Sequence, residues 1–287
     1  MMMKKRHKFT RADAWRLLLS LVLFAIAVLW ILPLVMTVLT SFKAPLEVKK
    51  FVKQHNLFPM KWVTVNYDDV FSYPGLPFLA VLRNTLVVCA SCIVGVLLIS
   101  TTAAYAFERL PFRGSDTIFW ILFGLSTIPN VVALVPQYNI YKTLGWIDHL
   151  PSIIAPLLAN IFNVFLVRNF MKGIPKEFDE AGRIDGASEL YIYLRIILPM
   201  LKPVLMVLLL FTFNQAWNDF LWPTIAITTP SHSTITPSIG TFKNNFGNNP
   251  ERFLAACTIA IIPTFIIYLT CQKYFLKGMQ IGAGLKG

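Results

Sequence analysis

The chain has 287 residues, of which 56% are hydrophobic and only 14% charged, and its mean hydropathy is +0.61. A soluble globular domain carries about a quarter charged residues, so that class is excluded and the bilayer is the expected solvent. Lys and Arg total 26 against 14 Asp and Glu. The excess cations collect beside apolar segments, where anionic head groups hold them, so membrane lipid is an expected partner and nucleic acid is not.

In chain order, the basic stretch Met1 to Arg16, with Lys4, Lys5, Arg6, Lys8 and Arg11, precedes a charge-free run over 17–42. That run is longer than the roughly 7–15 apolar residues of a cleaved signal, and it reads as a retained first span. A helix needs about 20 apolar residues to cross the hydrocarbon core. Stretches of that order lie between Arg83 and Glu108, Asp116 and Lys142, His149 and Arg168, and Arg252 and Lys273. A further one starts at Lys202 and meets Asn214, Asn218 and Asp219 before Phe220 and Trp222; it is counted as a span with a polar outer end, with a re-entrant segment as the alternative. The expectation is an all-α integral membrane protein with six transmembrane helices.

Charge sets the expected orientation. With the basic N-terminus inside, both termini are cytoplasmic, and the inner segments carry Arg109, Arg113, Arg168, Lys172, Lys176, Arg183, Arg195, Lys202, Lys273, Lys277 and Lys286. The outer loops around 139–150 and 221–252 hold only Lys142, Lys243 and Arg252, the positive-inside asymmetry. The loop from Lys43 to Arg83 dissents with Lys49, Lys50, Lys53 and Lys61, but long loops translocate largely regardless of charge.

Inside the spans, Ser91 with Gly95 and the run Ser100 to Ala104 permit close helix approach. Pro129, Pro136, Pro151 and Pro156 lie near Asn130, Gln137, Asn160 and Asn163. Such groups are costly in lipid unless neighbouring helices or a watery path satisfy them, and both readings stay open. Cys89 and Cys92 have CxxC spacing within an apolar run, without the second Cys or His pair that a zinc site needs, so no metal is expected.

The most charged stretch, Arg168 to Lys202, reads as helix, tight turn, helix. Pro175 suits a first turn, Glu177, Asp179 and Glu180 favour the positive end of the helix dipole, Gly186 ends the first helix and Ser188 caps a second. Leu190, Leu194 and Ile197 fall at helical spacing and are expected to pack toward the membrane, and Pro199 is expected to stop the helix. A short rigid element of this kind suits force transfer from a partner.

Glu180, Ala181 and Gly182, then Gly186, Ile196, Leu198 and Pro199, resemble the EAA loop of ABC-importer permeases at every anchor. One departure is Gly182, where the family usually has a second Ala; it is expected to loosen the helix by about 1 kcal/mol. The surrounding IDGAS, which contains Asp185, the later WNDFLWP over 217–223 and the terminal YFLKGMQIGAGLKG resemble the carbohydrate branch, the maltose-type permeases. The resemblance runs from about residue 80 to the end. It implies the type I (MetI-like) permease fold, a permease core over 80–277 with a coupling loop at 174–199, preceded by 1–79 with the first span and an outer loop, and followed by a cytoplasmic tail at 278–287. It further implies a second homologous permease, an ATPase dimer that carries ATP and Mg and grips the coupling helix through Glu180, and an extracytoplasmic sugar-binding protein. No cofactor or catalytic residue is expected in this chain. A GxGxxG string at Gly282, Gly284 and Gly287 lacks the following helix that a pyrophosphate site needs, and no GxxxxGK[ST] loop occurs.

Asn214, Gln215, Trp217, Asn218 and Asp219 join Asn130, Asn160 and Asn163 as candidates for a translocation path, because amides and an indole suit a sugar's hydroxyls and apolar face. The alternative is helix packing, with Trp217 and Trp222 in an interfacial aromatic belt. The function expected is a permease subunit of an ATP-driven, binding-protein-dependent importer of a sugar or oligosaccharide. The rivals are an ion-coupled secondary transporter, which needs an ionisable mid-membrane site and often an internal repeat, and an intramembrane enzyme, which needs a His/Asp/Glu cluster.

Overall fold

The computed structural model describes residues 11–48, 56–110, 112–245 and 249–284, and the side chains of 13–48, 56–110, 112–244 and 249–272. Lys4, Lys5, Arg6, Lys8, Lys49, Lys50, Lys53, Lys286 and Gly287, singled out above, lie outside the described residues. Among the described residues every regular element is helical. Two compact units are present, Met1–Val70 with Phe246–Thr258, and Phe71–Asn245 with Ile259–Gly287.

The first unit begins with helix α1, Arg11–Ser41. Its apolar residues face outward all round, Trp30 at 77% exposure among them, as befits a helix that meets lipid or another subunit rather than its own chain. Pro33 is tolerated inside it, and Thr37 donates its hydroxyl to the Pro33 carbonyl at 2.9 Å. Past α1 the chain is knotted to the start of α2, Val65–Phe71, where Asn66 Nδ2 donates to the Ser41 and Lys43 carbonyls at 2.8 and 2.9 Å. Lys43, which opens the basic loop noted above, is buried and donates to the Asn56 carbonyl at 2.6 Å. It is a structural tie, not a solvated cation.

The second unit is organised by α3, Phe78–Arg109. Val81, Val88, Cys92, Val96 and Ala104, all fully buried, fall four, seven or eight residues apart, one or two helical turns, along one face. Against α3 pack α6, Leu150–Leu158, α7, Ile161–Lys172, and α10, Lys202–Asn218. Gly95 lies at a close approach: a Cβ there would lie 2.5 Å from Leu158 Cδ2 on α6, so any larger residue requires the Leu158 side chain to shift. Cys89 and Cys92 are buried free thiols in this core.

The remaining elements are α4, Ser115–Leu125, and α5, Leu134–Thr143, joined through a 3₁₀ turn at Asn130–Ala133; α8, Glu177–Ile184; a continuous helical stretch α9, Glu189–Met200; α11, Leu221–Ala226; a 3₁₀ turn at Pro230–His232; α12, Ile235–Asn245; and α13, Pro250–Gly284. Among the described residues three helices are long and apolar enough to cross a membrane alone, α1, α3 and α13. The other three expected spans are bent pairs: α4 with the segment through α5 at 87°, α6 with α7 at 40°, and α9 with α10 at 77°. The cause is legible at two of the breaks. Pro129 cannot donate a backbone hydrogen bond and takes an extended conformation between α4 and the 3₁₀ turn, and Asn160 caps α7 by accepting from the Phe162 N–H at 3.0 Å.

At the end of α3 nearest Phe78, loops are lashed down by side chains. Asn84 Nδ2 donates to the Ser231 and Ser233 carbonyls, and Thr85 Oγ1 accepts from the Ile235 N–H at 2.8 Å. The loop between α5 and α6 is held to the 226–232 segment by Asp148, whose Oδ1 accepts from the Thr228 and Thr229 N–H groups at 2.9 and 2.8 Å while Thr229 Oγ1 donates to Oδ2 at 2.5 Å.

Candidate functional site

The charged loop folds as helix, turn, helix, and local chemistry explains most of it. Glu177, Asp179 and Glu180 occupy the first turn of α8, with Pro175 just outside it. At its end Gly186 has φ +78°, its N–H bonds the Arg183 carbonyl at 3.1 Å and the Ala187 N–H bonds the Gly182 carbonyl at 2.9 Å, the paired bonds of a Schellman cap. Ser188 then caps α9, its hydroxyl accepting from the Tyr191 N–H at 3.3 Å.

Two expectations for the second helix fail. Pro199 does not stop it: the chain remains helical through Met200 and bends only at Leu201. Leu190, Leu194 and Ile197 do not share one side: Leu190 and Leu194 are exposed, while Ile197 is buried with Ile192 and Tyr193. The cause is a π-helical segment at Ile192–Ile197. Its wider i→i+5 winding puts Ile192 and Ile197 on one face and shifts the register that an α spacing predicts.

α8 has two faces. Glu180 and Ala181 are exposed, as are Asp185 and Gly186 at its end, and Ile184 is 85% exposed one turn beyond Glu180. The inward face is Asp179, 2% exposed, and Gly182. A Cβ on Gly182 would come 3.0 Å from Ile192 Cγ1 and 3.2 Å from Ile196 Cδ1, so this glycine marks a close approach of α8 to α9. It does not simply loosen a helix. Ile196 and Leu198 are half-buried beneath α8 and beside the core, and Pro199 is exposed.

Asp179 meets a residue that sequence reasoning missed. Arg109, in the last turn of α3, places Nη1 3.0 Å from Asp179 Oδ2 with both side chains 3% exposed. Its Nη2 donates to the Met171 and Ile174 carbonyls at 3.1 and 2.7 Å. Burial pushes the Asp179 carboxyl up from its ordinary value, opposed by the guanidinium of Arg109 and, further off, that of Arg183. A second arginine, Arg168 on α7, joins Glu108 at 3.0 Å to Asp116 at 2.6 Å and lies 4.4 Å from the Phe119 ring centroid. The nearest sequence signal was charge inside otherwise apolar stretches, which does not name a partner.

The polar candidates gather elsewhere. Asn130, Asn160 and Gln215, with Ser126, line a cavity of about 480 Å³. Asn130, Gln137, Asn214, Gln215, Asn218 and Asp219 line a second of about 510 Å³. The two share Asn130, Pro156, Leu157 and Gln215, so they form one polar strip across the broken helices. Asn218 Nδ2 donates to Asn214 Oδ1 at 2.7 Å and to its carbonyl at 3.0 Å, the one-turn pairing their spacing implies. Trp217 and Asn163 are not brought into the strip. Trp217 is buried and stacks on Phe213 at 5.3 Å, and Asn163 is buried on α7. Trp222 borders the second cavity but is also buried, its indole N–H donating to the Ser152 carbonyl at 2.8 Å, so neither tryptophan serves an aromatic belt. Among the described residues no His, Cys, Asp and Glu group is arranged to hold a metal ion.

A bundle of broken apolar helices around a polar strip, with a short charged helix braced at one end, defines an integral-membrane transport subunit. The chain belongs to the family described as binding-protein-dependent transport system inner membrane component, which matches residues 1–281. It is 27% identical over 275 residues to the arabinooligosaccharides transport system permease protein AraQ of Bacillus subtilis, covering 96% of this chain and 97% of that one. It is 30% identical over 275 residues, 95% and 97% of the two chains, to the trehalose/maltose transport system permease protein MalG of Thermococcus litoralis. In fold it resembles a chain of a bacterial ABC transporter involved in import of the acidic polysaccharide alginate, with a TM-score of 0.78 and 24% identity, covering 93% of this chain and 99% of that one. The protein is thus a permease component of a binding-protein-dependent ABC importer with the MetI-like fold.

Proposed function

We propose that this chain imports a sugar or oligosaccharide as one of two paired permeases, driven by a separate ATPase dimer that docks on α8. The observation that carries the reading is the division of α8 into a braced inner face and a free outer face, with Glu180, Ala181 and Ile184 offered together. An acid and an apolar knob one turn apart, on a helix too short to stand alone, suit a basic-rimmed groove in a cytoplasmic partner. ATP and Mg belong on that partner; this chain contributes docking, a path and motion. The positive-inside asymmetry supports the reading of α8 and both termini as cytoplasmic.

The cargo class rests on the relatives named for arabinooligosaccharides and for trehalose and maltose, together with an amide-lined strip suited to hydroxyl groups. ATP binding would close the ATPase pair, draw the two coupling helices together and turn the permeases from inward-facing to outward-facing, where a loaded binding protein delivers its sugar.

The test is Glu180→Lys in the assembled transporter. It is expected to lose the ATPase during purification while the helical bundle is retained, since losing one member of a desolvated pair costs about 2–5 kcal/mol of binding. Retention of the ATPase with normal uptake refutes docking through Glu180. Import by vesicles on an ion gradient alone, without ATP, refutes the importer reading.

A further inference from the structure

One stripe of α3 carries three side-chain ties from that helix to α8 and α9. Thr101, Tyr105 and Arg109 are spaced four apart and so lie one above another on a single face. Thr101 Oγ1 shares a hydrogen bond of 2.6 Å with the Tyr193 hydroxyl, in the π-helical part of α9. Tyr105 donates to Glu189 Oε2 at 2.9 Å, and Glu189 in turn accepts from Arg183 Nε at 2.6 Å, at the last turn of α8. Arg109 closes the series on Asp179, in the first turn of α8. The three contacts therefore hold α8 at both ends and α9 in its middle.

Arg109 differs from the other two in joining three segments at once. One arm meets the Asp179 carboxylate; the other donates to the carbonyls of Met171 and Ile174, at the end of α7 and the entry to α8. All partners are buried, so water supplies no substitute. The Asp179 contact is close but not an aligned hydrogen bond, because neither carboxylate oxygen finds an aligned donor. The guanidinium charge, not a directed bond, is what opposes the upward push of burial on the Asp179 carboxyl.

The face gripped by a partner points the other way, through Glu180 and Ile184. Force applied there must reach the membrane helices through something stiff. The backbone between Lys172 and Glu177 is a short non-helical link, whereas a desolvated ion pair with two backbone hydrogen bonds on the same group joins α3 to α8 directly.

We infer that Arg109, through Asp179, is the positioning residue that transmits movement of the docking helix to α3, with Tyr105–Glu189–Arg183 and Thr101–Tyr193 as the accompanying ties. This rests on α8 being the ATPase docking helix. Because the pair is on the inner face, weakening it should leave docking intact and uncouple ATP use from import.

The experiment compares Asp179→Asn, Arg109→Lys and Glu180→Lys in the complete transporter, reconstituted with its binding protein and the sugar that co-purifies with that protein. Three quantities are read: ATPase subunit retained per permease, thermal stability, and sugar imported per ATP hydrolysed. Asp179→Asn keeps size and removes charge; it is expected to retain the ATPase and melt near wild type while sugar per ATP falls about tenfold or more. Arg109→Lys keeps the charge but as a single point that cannot serve both the carboxylate and the carbonyls, and is expected to fall between Asp179→Asn and wild type. Wild-type sugar per ATP in Asp179→Asn overturns the inference. So does a loss of import that tracks loss of assembly or stability in both inner-face variants, which would make the pair a fold brace only. Failure of the docking reading is separate: it appears as a Glu180→Lys complex that keeps its ATPase.

Discussion

Gly182 sits where two opposing effects on α8 can be separated by sign. In Gly182→Ala, helix propensity favours alanine by about 0.8–1.0 kcal/mol. Packing opposes it. The added Cβ would lie 3.0 Å from Ile192 Cγ1, 3.2 Å from Ile196 Cδ1 and 3.3 Å from Ile192 Cδ1, whereas carbon atoms rest about 3.5–4.0 Å apart. Ile192 is fully buried among core residues and has little room to yield, so the overpacking cost is taken at about 1–3 kcal/mol. The balance is a net loss of about 1 kcal/mol in the hold of α9 on α8.

Amide hydrogen exchange over 177–184 reads that hold directly, because α8 opens locally rather than with the whole bundle. A loss of about 1 kcal/mol speeds exchange by about fivefold. Gly124→Ala on α4 is the control, since a Cβ there meets nothing within 4 Å and the propensity gain acts without crowding. If Gly182→Ala slows exchange in α8, propensity has won and the close approach is not what selects glycine. That result would restore the simpler view of Gly182 as a loosening substitution.

Asn218→Ala is expected to impair uptake with complex assembly unchanged, because it removes an amide from the polar strip and frees its partner Asn214; unchanged uptake in vesicles would remove α10 from the path. At the other end of the bundle, partial burial of Asp148 raises its carboxyl, but the Thr229 hydroxyl and N–H and the Thr228 N–H outweigh it and hold the group well below its ordinary 3.8. A depressed carboxylate contributes stability that is fully present above its unfolded value and lost as pH falls through the folded one, so the loss begins only below about pH 4. Asp148→Asn tolerates the same φ of +66° and removes the charge. It is expected to lower the melting temperature at neutral pH and to flatten the decline below pH 4; identical pH curves for the two proteins would contradict the assignment.

How much of this was legible in the sequence depended on the range of the interaction. The turn at Gly186 and the cap at Ser188 follow from bonds spanning a few residues, and the Asn214–Asn218 pair from a single helical turn, so both were readable. Trp217 was not, because α10 is apolar nearly all round and spacing alone does not choose which side faces a cavity. Pro199 was misread for a different reason: the proline rule assumes α winding, and the π segment just before it changes which carbonyl the missing N–H would have met.

Arg109 and Asp179 lie 70 positions apart, and neither stands out alone: one looks like an inside-end cation, the other like a helix-start acid. The usable signal was instead the repetition of polar groups on α3. Thr101, Tyr105 and Arg109 keep a spacing of four along the last turns of α3, and a polar stripe of that length inside a membrane segment must be answered by another element. The charged loop supplies the carboxylates of Asp179 and Glu189 and the hydroxyl of Tyr193 in matching order along the helix axis. Such a register fixes α8 lengthwise against α3 as well as sideways: sliding by one turn would either set Asp179 against Tyr105 and leave the buried Arg109 without a carboxylate, or set Glu189 against Arg109 and leave Asp179 without its arginine. α8 therefore has one seat on α3, which is the condition that the proposed docking requires for a pull on the outer face of α8 to move the membrane helix instead of being absorbed by slippage between them.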